Sequence, residues 1–371
     1  MFTISRRLAF VSTMIAAGLT VAACSPPSSS GTSSTPAATA TSAQALGGMN
    51  ALIAAARKEG TLNVVSVAPD WANYGAIITD FEQKYGIKVV DDNPEGSSQD
   101  EINAAKELDG TSRAPDVFDL GPSQLSNQSM FAPYKVATWN DIPDSQKSPT
   151  GLYTQDYGGY MAIGYDSSKV PDITSVDQLL SPAFKGKVAL FADPTTSASA
   201  LTAVMMTSLA NGGSLNDIAP GAKFFGELNK AGNFVSVAAS NATVQNGTTP
   251  VVINWDYLAI AFKQSVPSWK LFIPANAAIS SFYNAAINQD APHPAAARLW
   301  MEFLFSNEGQ NLFLAGGARP VRIAEMTRDK TIDAALAAKL PAAPAASQVM
   351  TPAQAMTASS YLSAHWSSEV G

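Results

Sequence analysis

The stretch "GGYMAIGYDSSKVPDITSVDQLLSPAFKGKVALFADP", residues 158–194, decides the fold. Its segment "YMAIGYD" is a short apolar and aromatic run, bounded by glycines on one side and "SSKVPD" on the other, which predicts a buried strand. "SVDQLLSPAFKG" reads as helix and turn. "KVALFADP" reads as a second strand that stops at proline. "TTSASALTAVMMTSLANGG" then predicts a helix ended by glycines. Strands alternating with helices define an α/β fold, with parallel pairing through crossover helices.

The alternation extends both ways. Upstream, "MNALIAAARKEG", "YGAIITDFEQKYG" and "DEINAAKELDG" read as helices, and "TLNVVSVA", "IKVVDDN" and "PDVFDLGP" as strands. Downstream, "GAKFFGELNKAG" is a helix, "PVVIN" a strand running into helix "DYLAIAFKQ", and "WKLFIPA" and "SSFYNAAINQ" are strand-like. A helical run "PAAARLWMEFLFSNEGQNLFLAGG" follows, and the Ala- and Pro-rich tail from Arg328 reads as helices with breaks. Ligands in such folds sit beyond the C-terminal ends of strands. That singles out the loops "VAPDWANYG" and "DLGPSQLSN", the second of which carries Ser123.

The 371 residues are 46% hydrophobic and only 14% charged, enough for two domains with substantial cores. A net charge of -7 without any basic stripe speaks against nucleic acid as a partner. With two histidines, His293 and His365, and one cysteine, Cys24, a Cys/His zinc site cannot be assembled and no disulfide can form within the chain. No cofactor is expected.

The N-terminus gives that cysteine a role. Arg6 and Arg7 precede an apolar segment of about sixteen residues, too short for a confident membrane span, and "VAAC" places small residues just before Cys24. This resembles a bacterial lipobox, which implies cleavage before Cys24 and lipid on its sulfur; an ordinary secretory signal is the other reading. Residues 1–23 are then a signal peptide. Residues 24–48, nearly all Ser, Thr, Ala, Pro and Gly, are expected to be a flexible tether.

Several pieces, in this order, resemble the family 1 extracellular solute-binding proteins, the receptors of ABC importers for ferric iron, polyamines, phosphonates and similar solutes. They are "AARKEGTLNVVS", the opening stretch 158–194, and "NAAINQDAPHPAAARLWMEFLFSNEGQNLFLAGGARPVR". The resemblance covers roughly residues 50–325. It implies a two-lobed type II periplasmic-binding-protein fold that closes about a hinge on a small-molecule solute. It also implies a permease as partner and a monomeric receptor lipid-anchored outside the cytoplasm. The expected lobes are 50–161 with 278–318, and 162–277 with 319–371.

Within that frame "PVVINWDYLAIAF", residues 250–262, holds a single charge, Asp256, between Trp255 and Tyr257 at a strand-to-helix turn. A carboxylate in an apolar run needs a partner. It either pairs with a cationic group of the solute, with an aromatic face alongside, or caps the helix. Asp70, Trp71 and Tyr74 follow the first strand and form the facing set. Tyr157, beside Gly158 and Gly159, marks the hinge, and Tyr283 the return crossover; Tyr283 also reads as core. The glycines allow backbone rotation or close approach. The favoured solute is therefore polyamine-like or amino-containing.

Thr196 and Ser197, with Thr195 and Ser199, sit at a helix N-terminus, which suits a phosphate, phosphonate or carboxylate, or is plain N-capping. The absence of a basic residue in that loop weakens the anion reading. Ferric iron would call for adjacent tyrosines, which the sequence lacks, although Tyr157, Tyr257 and Tyr283 could converge. Motifs of serine hydrolases and phosphate-binding loops are absent. A secreted lipoprotein hydrolase, with a carboxylate pair such as Asp91 and Asp92, remains the alternative from another class. His293, between two prolines, reads as a solvated turn.

Overall fold

The computed structural model describes residues 36–371. The expected signal peptide, Cys24 and the first part of the tether lie outside the described residues. Among the described residues no helix is long and apolar enough to cross a membrane.

The described residues form ten strands: β1 (Thr61–Val64), β2 (Lys88–Asp91), β3 (Val117–Leu120), β4 (Phe131–Ala132), β5 (Thr154–Asp166), β6 (Val188–Leu190), β7 (Val251–Trp255), β8 (Trp269–Phe272), β9 (Ser280–Asn288) and β10 (Arg319–Pro320). β1 and β2 pair in parallel; the other eight make one sheet of order β3-β9-β5-β7-β6, with β4 on β9 and with β8 and β10 on β5. β5 organises the molecule. Its first half, to Tyr160, pairs with β9 and β10. From Met161 onward it pairs with β7 and β8. One continuous strand therefore belongs to two layers of structure and gives the fold its two lobes, each flanked by helices.

Pairing departs from the parallel expectation. Only β1–β2 and β6–β7 are parallel. The remaining ladders involve the crossing strands β5 and β9, and every one of them is antiparallel. Alternating helices and strands do not reveal which strands pass between lobes, and those strands meet their neighbours head to tail.

The expectation of a tether over residues 24–48 does not hold for residues 36–48. From Pro36 the chain is docked, with Ala37, Ala40 and Ala43 buried. Buried Arg298 holds it, donating from Nε to the Ala40 carbonyl (2.8 Å) and from Nη2 to that of Ala38 (2.8 Å). The Lys135 amide also donates to the Thr41 carbonyl. Small side chains bury little area, but here they fit a groove while a guanidinium satisfies the carbonyls. Burial pulls the Arg298 pKa down to about 10. Arg298 lies on the helix Pro294–Leu304, which packs on Met49–Glu59 and sets Trp300 edge-on to Phe81, 5.0 Å between rings.

His293, just before that helix, is not simply solvated. Its amide and Nδ1 meet the two carboxylate oxygens of buried Asp116 at 2.6 and 2.9 Å. Asp91 and Asp92 do not form a facing pair: Asp91 accepts from the Val67 amide, and Asp92 pairs with exposed Arg113.

The C-terminal part does not leave the β9 side at residue 319. The Val321 amide donates to the Asp156 carbonyl, Arg322 to the Phe305 carbonyl, and Asn311 to the Thr331 carbonyl. The chain returns later: Gln348 bridges to Ile279 beside β9, and the helix Pro352–Val370 packs on both Pro122–Met130 and Ala219–Lys230. Trp366 lies 5.4 Å from Phe225 there, and Gly226 lacks a Cβ where the Glu369 carbonyl approaches.

Candidate functional site

Between the lobes lies a cavity of about 690 Å³. Its walls come from the loops after β1, β2 and β6, from Asp119 within β3, from the start of the helix Asn241–Asn246, from the helix after β7, and from Tyr283 of β9.

The loop after β1 is conformationally unusual. Ser66, Ala72 and Asn73 all adopt positive φ (64°, 45° and 71°). Left-handed backbone costs a non-glycine residue roughly 1–2 kcal/mol, and such outliers cluster at functional sites. The kinked loop projects Asp70 and Trp71 into the cavity. Trp71 packs 5.9 Å from Phe191 of the opposite wall and 5.5 Å from Tyr283. Its Nε1 donates to the Tyr157 hydroxyl (2.6 Å), which donates in turn to Oδ2 of Asp119 (2.7 Å). Asn241 reaches across the mouth and donates to Asp70 Oδ2 (2.5 Å). The lobes are closed on each other: a Cβ on Gly121, after β3, would collide with the Ala198 methyl.

The electrostatics are one-sided. Six carboxylates border the cavity (Asp70, Glu95, Asp100, Glu101, Asp119 and Asp193), and among the described residues no Lys, Arg or His does. Asp119 and Glu101 are buried, and the Asp119 amide donates to Glu101 Oε2 (2.7 Å). Burial pushes Asp119 up to about 7, with the Tyr157 and Tyr74 hydroxyls pulling the other way. Burial, then Asp119, lifts Glu101 well above the usual carboxylate range. Among the described residues Oδ1 of Asp119 accepts no well-formed hydrogen bond, although the Tyr74 hydroxyl is near enough to act on the carboxylate.

Of the residues singled out in the sequence, Asp70, Trp71, Thr196, Ser197 and Tyr283 line the cavity. Tyr74, Tyr157, Trp255 and Tyr257 are buried behind it, and Ser123 lies outside the lining. The cation that Asp256 was expected to meet comes from the chain itself. Arg319 Nη1 bonds to its Oδ2 (2.5 Å), while its Oδ1 accepts from the amides of Tyr160 and Tyr257 (both 3.0 Å). The carboxylate is fully buried and is not part of the cavity lining. Gly158 and Gly159 serve close approach rather than rotation: a Cβ would strike the Ser281 carbonyl at one and the Asp256 carboxylate at the other.

The helix end at residues 195–199 is largely self-capped. Asp193 accepts from the Thr195 amide and hydroxyl (2.8 and 2.7 Å), and Ser197 accepts from the Ala200 amide. An anion there would face the Asp193 carboxylate.

Asp119 and Glu101 went unnamed in the sequence reading, yet a signal existed. "VFDLG" places one carboxylate in an apolar strand, the same pattern that drew attention to Asp256.

A two-lobed α/β body closed over a polar, solute-sized cavity defines a binding protein. The chain belongs to the bacterial extracellular solute-binding proteins, whose family model matches residues 123–341. It is therefore a solute-binding protein that works outside the cytoplasm, and not an enzyme. Three solved structures share its fold. A putative spermidine/putrescine ABC transporter protein from Listeria monocytogenes is 15% identical, with a TM-score of 0.62 over 83% of this chain and 99% of that one. AfuA from Actinobacillus pleuropneumoniae, solved with fructose-6-phosphate, is 17% identical, with a TM-score of 0.62 over 84% and 98%. Iron-bound HitA from Pseudomonas aeruginosa is 21% identical, with a TM-score of 0.59 over 84% and 99%. No curated protein is a significant match to the chain.

Proposed function

We propose that this protein is the receptor of an ABC importer, anchored by lipid on Cys24, and that it delivers a small organic cation to its permease. The receptor acts as a monomer, with 50–161 and 278–318 forming most of one lobe and 162–277 most of the other. The solute is polyamine-like or amino-containing. One observation carries this reading: six carboxylates and no basic side chain border the cavity among the described residues. Trp71, Phe191 and Tyr283 add aromatic faces suited to an ammonium or its methylene chain. Phosphate esters and phosphonates find no countercharge there.

Ferric ion is the second reading. Tyr157 lies 5.9 Å from Tyr257 and 5.6 Å from Tyr283, ring to ring, and the Tyr257 hydroxyl is unpartnered. Burial raises all three phenol pKa values, which opposes phenolate formation, and the cavity is far larger than an ion. The organic cation is favoured on both counts.

The test is a thermal-shift screen of lipid-free protein against polyamines, amino-phosphonates, sugar phosphates and ferric citrate. A solute at one hundred times its Kd adds roughly 2.7 kcal/mol, a readily visible shift. Stabilisation by amines alone supports the proposal. Stabilisation by a phosphate ester or by ferric citrate instead overturns the choice of solute.

A further inference from the structure

Asp119 differs from the other carboxylates of the cavity. It sits at the end of β3, on the cavity wall, yet only 6% of its surface is exposed. One carboxylate oxygen, Oδ2, is held by the Tyr157 hydroxyl; the other, Oδ1, accepts no well-formed hydrogen bond among the described residues, with the Tyr74 hydroxyl nearby. A buried acceptor left unmade costs about 1–3 kcal/mol, and more if charged. Among the described residues nothing around it supplies a positive charge. Glu101 faces it from the helix Ser98–Glu107, Tyr74 from the helix Tyr74–Tyr85, Asp156 and Tyr157 from β5, Tyr257 from the helix after β7, and Tyr283 from β9. Asp156 is itself buried, with an unpartnered oxygen of its own. Three carboxylates thus share an interior with phenols and, among the described residues, with no cation. Such a group is satisfied either by a proton or by a cation that arrives from the cavity.

We propose that Oδ1 of Asp119 is the seat of a primary or secondary ammonium of the solute, and that a proton competes with that ammonium for it. The inference rests on the organic-cation reading and adds to it a specific acceptor and a pH dependence. The rim carboxylates Asp70, Glu95 and Asp193 act at longer range, in contact with solvent. Trp71 joins the seat to the mouth, since its indole N–H holds the same Tyr157 hydroxyl that holds Asp119.

The sign of the pH effect follows. Amines of the polyamine class stay protonated below about pH 9, by comparison with a lysine side chain near 10.4. The acceptor does not. Burial lifts Asp119 to about 7, so affinity should fall about tenfold for each pH unit below that value and level off above it. The unliganded protein should lose stability from this group as pH rises through 7, because its native pKa lies above the unfolded one. A bound ammonium reverses that loss.

The experiment is calorimetric titration of wild type, Asp119→Asn and Asp70→Asn with putrescine, spermidine and ornithine at pH 5.5, 6.5, 7.5 and 8.5. Unliganded melting is followed alongside. The inference expects the best amine to bind wild type ten- to a hundredfold more tightly at pH 7.5 than at 5.5. Asp119→Asn should lose at least a hundredfold at pH 7.5, lose the pH slope, and melt no lower than wild type at pH 8.5; Asp70→Asn should keep the slope. If Asp119→Asn binds an amine with wild-type affinity and slope, this inference is overturned while the organic-cation reading stands. If no amine binds wild type at any pH, the organic-cation reading falls and takes the inference with it.

Discussion

Arg319 and Asp256 form a buried ion pair at the point where β5 passes from one lobe to the other. Arg319 lies on β10, opposite Gly158 of β5, and Asp256 begins the helix that follows β7. Arg319 also donates to the Pro341 carbonyl and lies 4.6 Å over the Tyr160 ring. The pair fastens both halves of β5 to a single point.

Asp256→Asn should therefore behave as a stability variant. It leaves a buried guanidinium without its counter-ion, a loss of roughly 3–5 kcal/mol for a broken buried pair. Solute affinity, measured below the lowered melting temperature, should stay within about threefold of wild type. Denaturant unfolding and calorimetry on the same sample check both expectations. A stable variant that has lost binding would return Asp256 to the ligand.

Gly121 should control closure. Any side chain there meets Ala198 across the closed cleft. Gly121→Val is expected to weaken solute binding by a hundredfold or more and to enlarge the radius of gyration under saturating solute. The unliganded melting temperature should barely change, since the open form has room. Small-angle scattering with and without the best amine from the screen measures the effect.

Arg298 should hold the segment at residues 36–46. Arg298→Leu removes charged donors from two carbonyls of that segment, at roughly 1.5–3 kcal/mol per hydrogen bond to a charged group. Limited proteolysis should leave residues 36–46 intact in the wild type and cut them in the variant. Equal cleavage of both would mean that the alanines alone dock the segment.

His293 gives a second pH signature, away from the cavity. Its hydrogen bond to Asp116 raises its pKa above the ordinary 6.5. The stability it contributes is fully present below about 6.5 and is lost as pH rises through the raised native value. His293→Gln should flatten the melting temperature between pH 6.5 and 8. A wild-type profile already flat there would remove His293 from the account.

Most of the secondary structure was legible, because apolar runs and glycine stops are local. "IKVVDDN" became β2 and "YGAIITDFEQKYG" the helix Tyr74–Tyr85 with Gly86 as its cap. The loop after β1 that borders the cavity was legible from the rule about strand ends, whereas the one after β2 was not singled out and "DLGPSQLSN" lends the lining only Asp119. Asp256 was not, because its partner lies 63 residues away in a segment with no chemical signature of its own. Neither was the docked N-terminal stretch: composition argues against a core, and one buried arginine supplies what composition lacks. The path of the tail was hidden in the same way, since it depends on Arg322 and Asn311 holding residues 321–331 back before the last helix packs on both Pro122–Met130 and Ala219–Lys230.

A strand that serves two lobes without interruption behaves as a torsion bar. At the change of partners, the Tyr160 amide is held by Asp256 and the Met161 amide by the Ile279 carbonyl. A relative turn of the lobes would then be taken up as twist along this strand, with its ladder intact. Amide hydrogens at Tyr160 and Met161 should exchange as slowly as those of the core while the Asp70–Asn241 contact at the mouth comes and goes. The joint of this receptor would then be among its most rigid parts, and little of the solute's binding energy would be needed to order it.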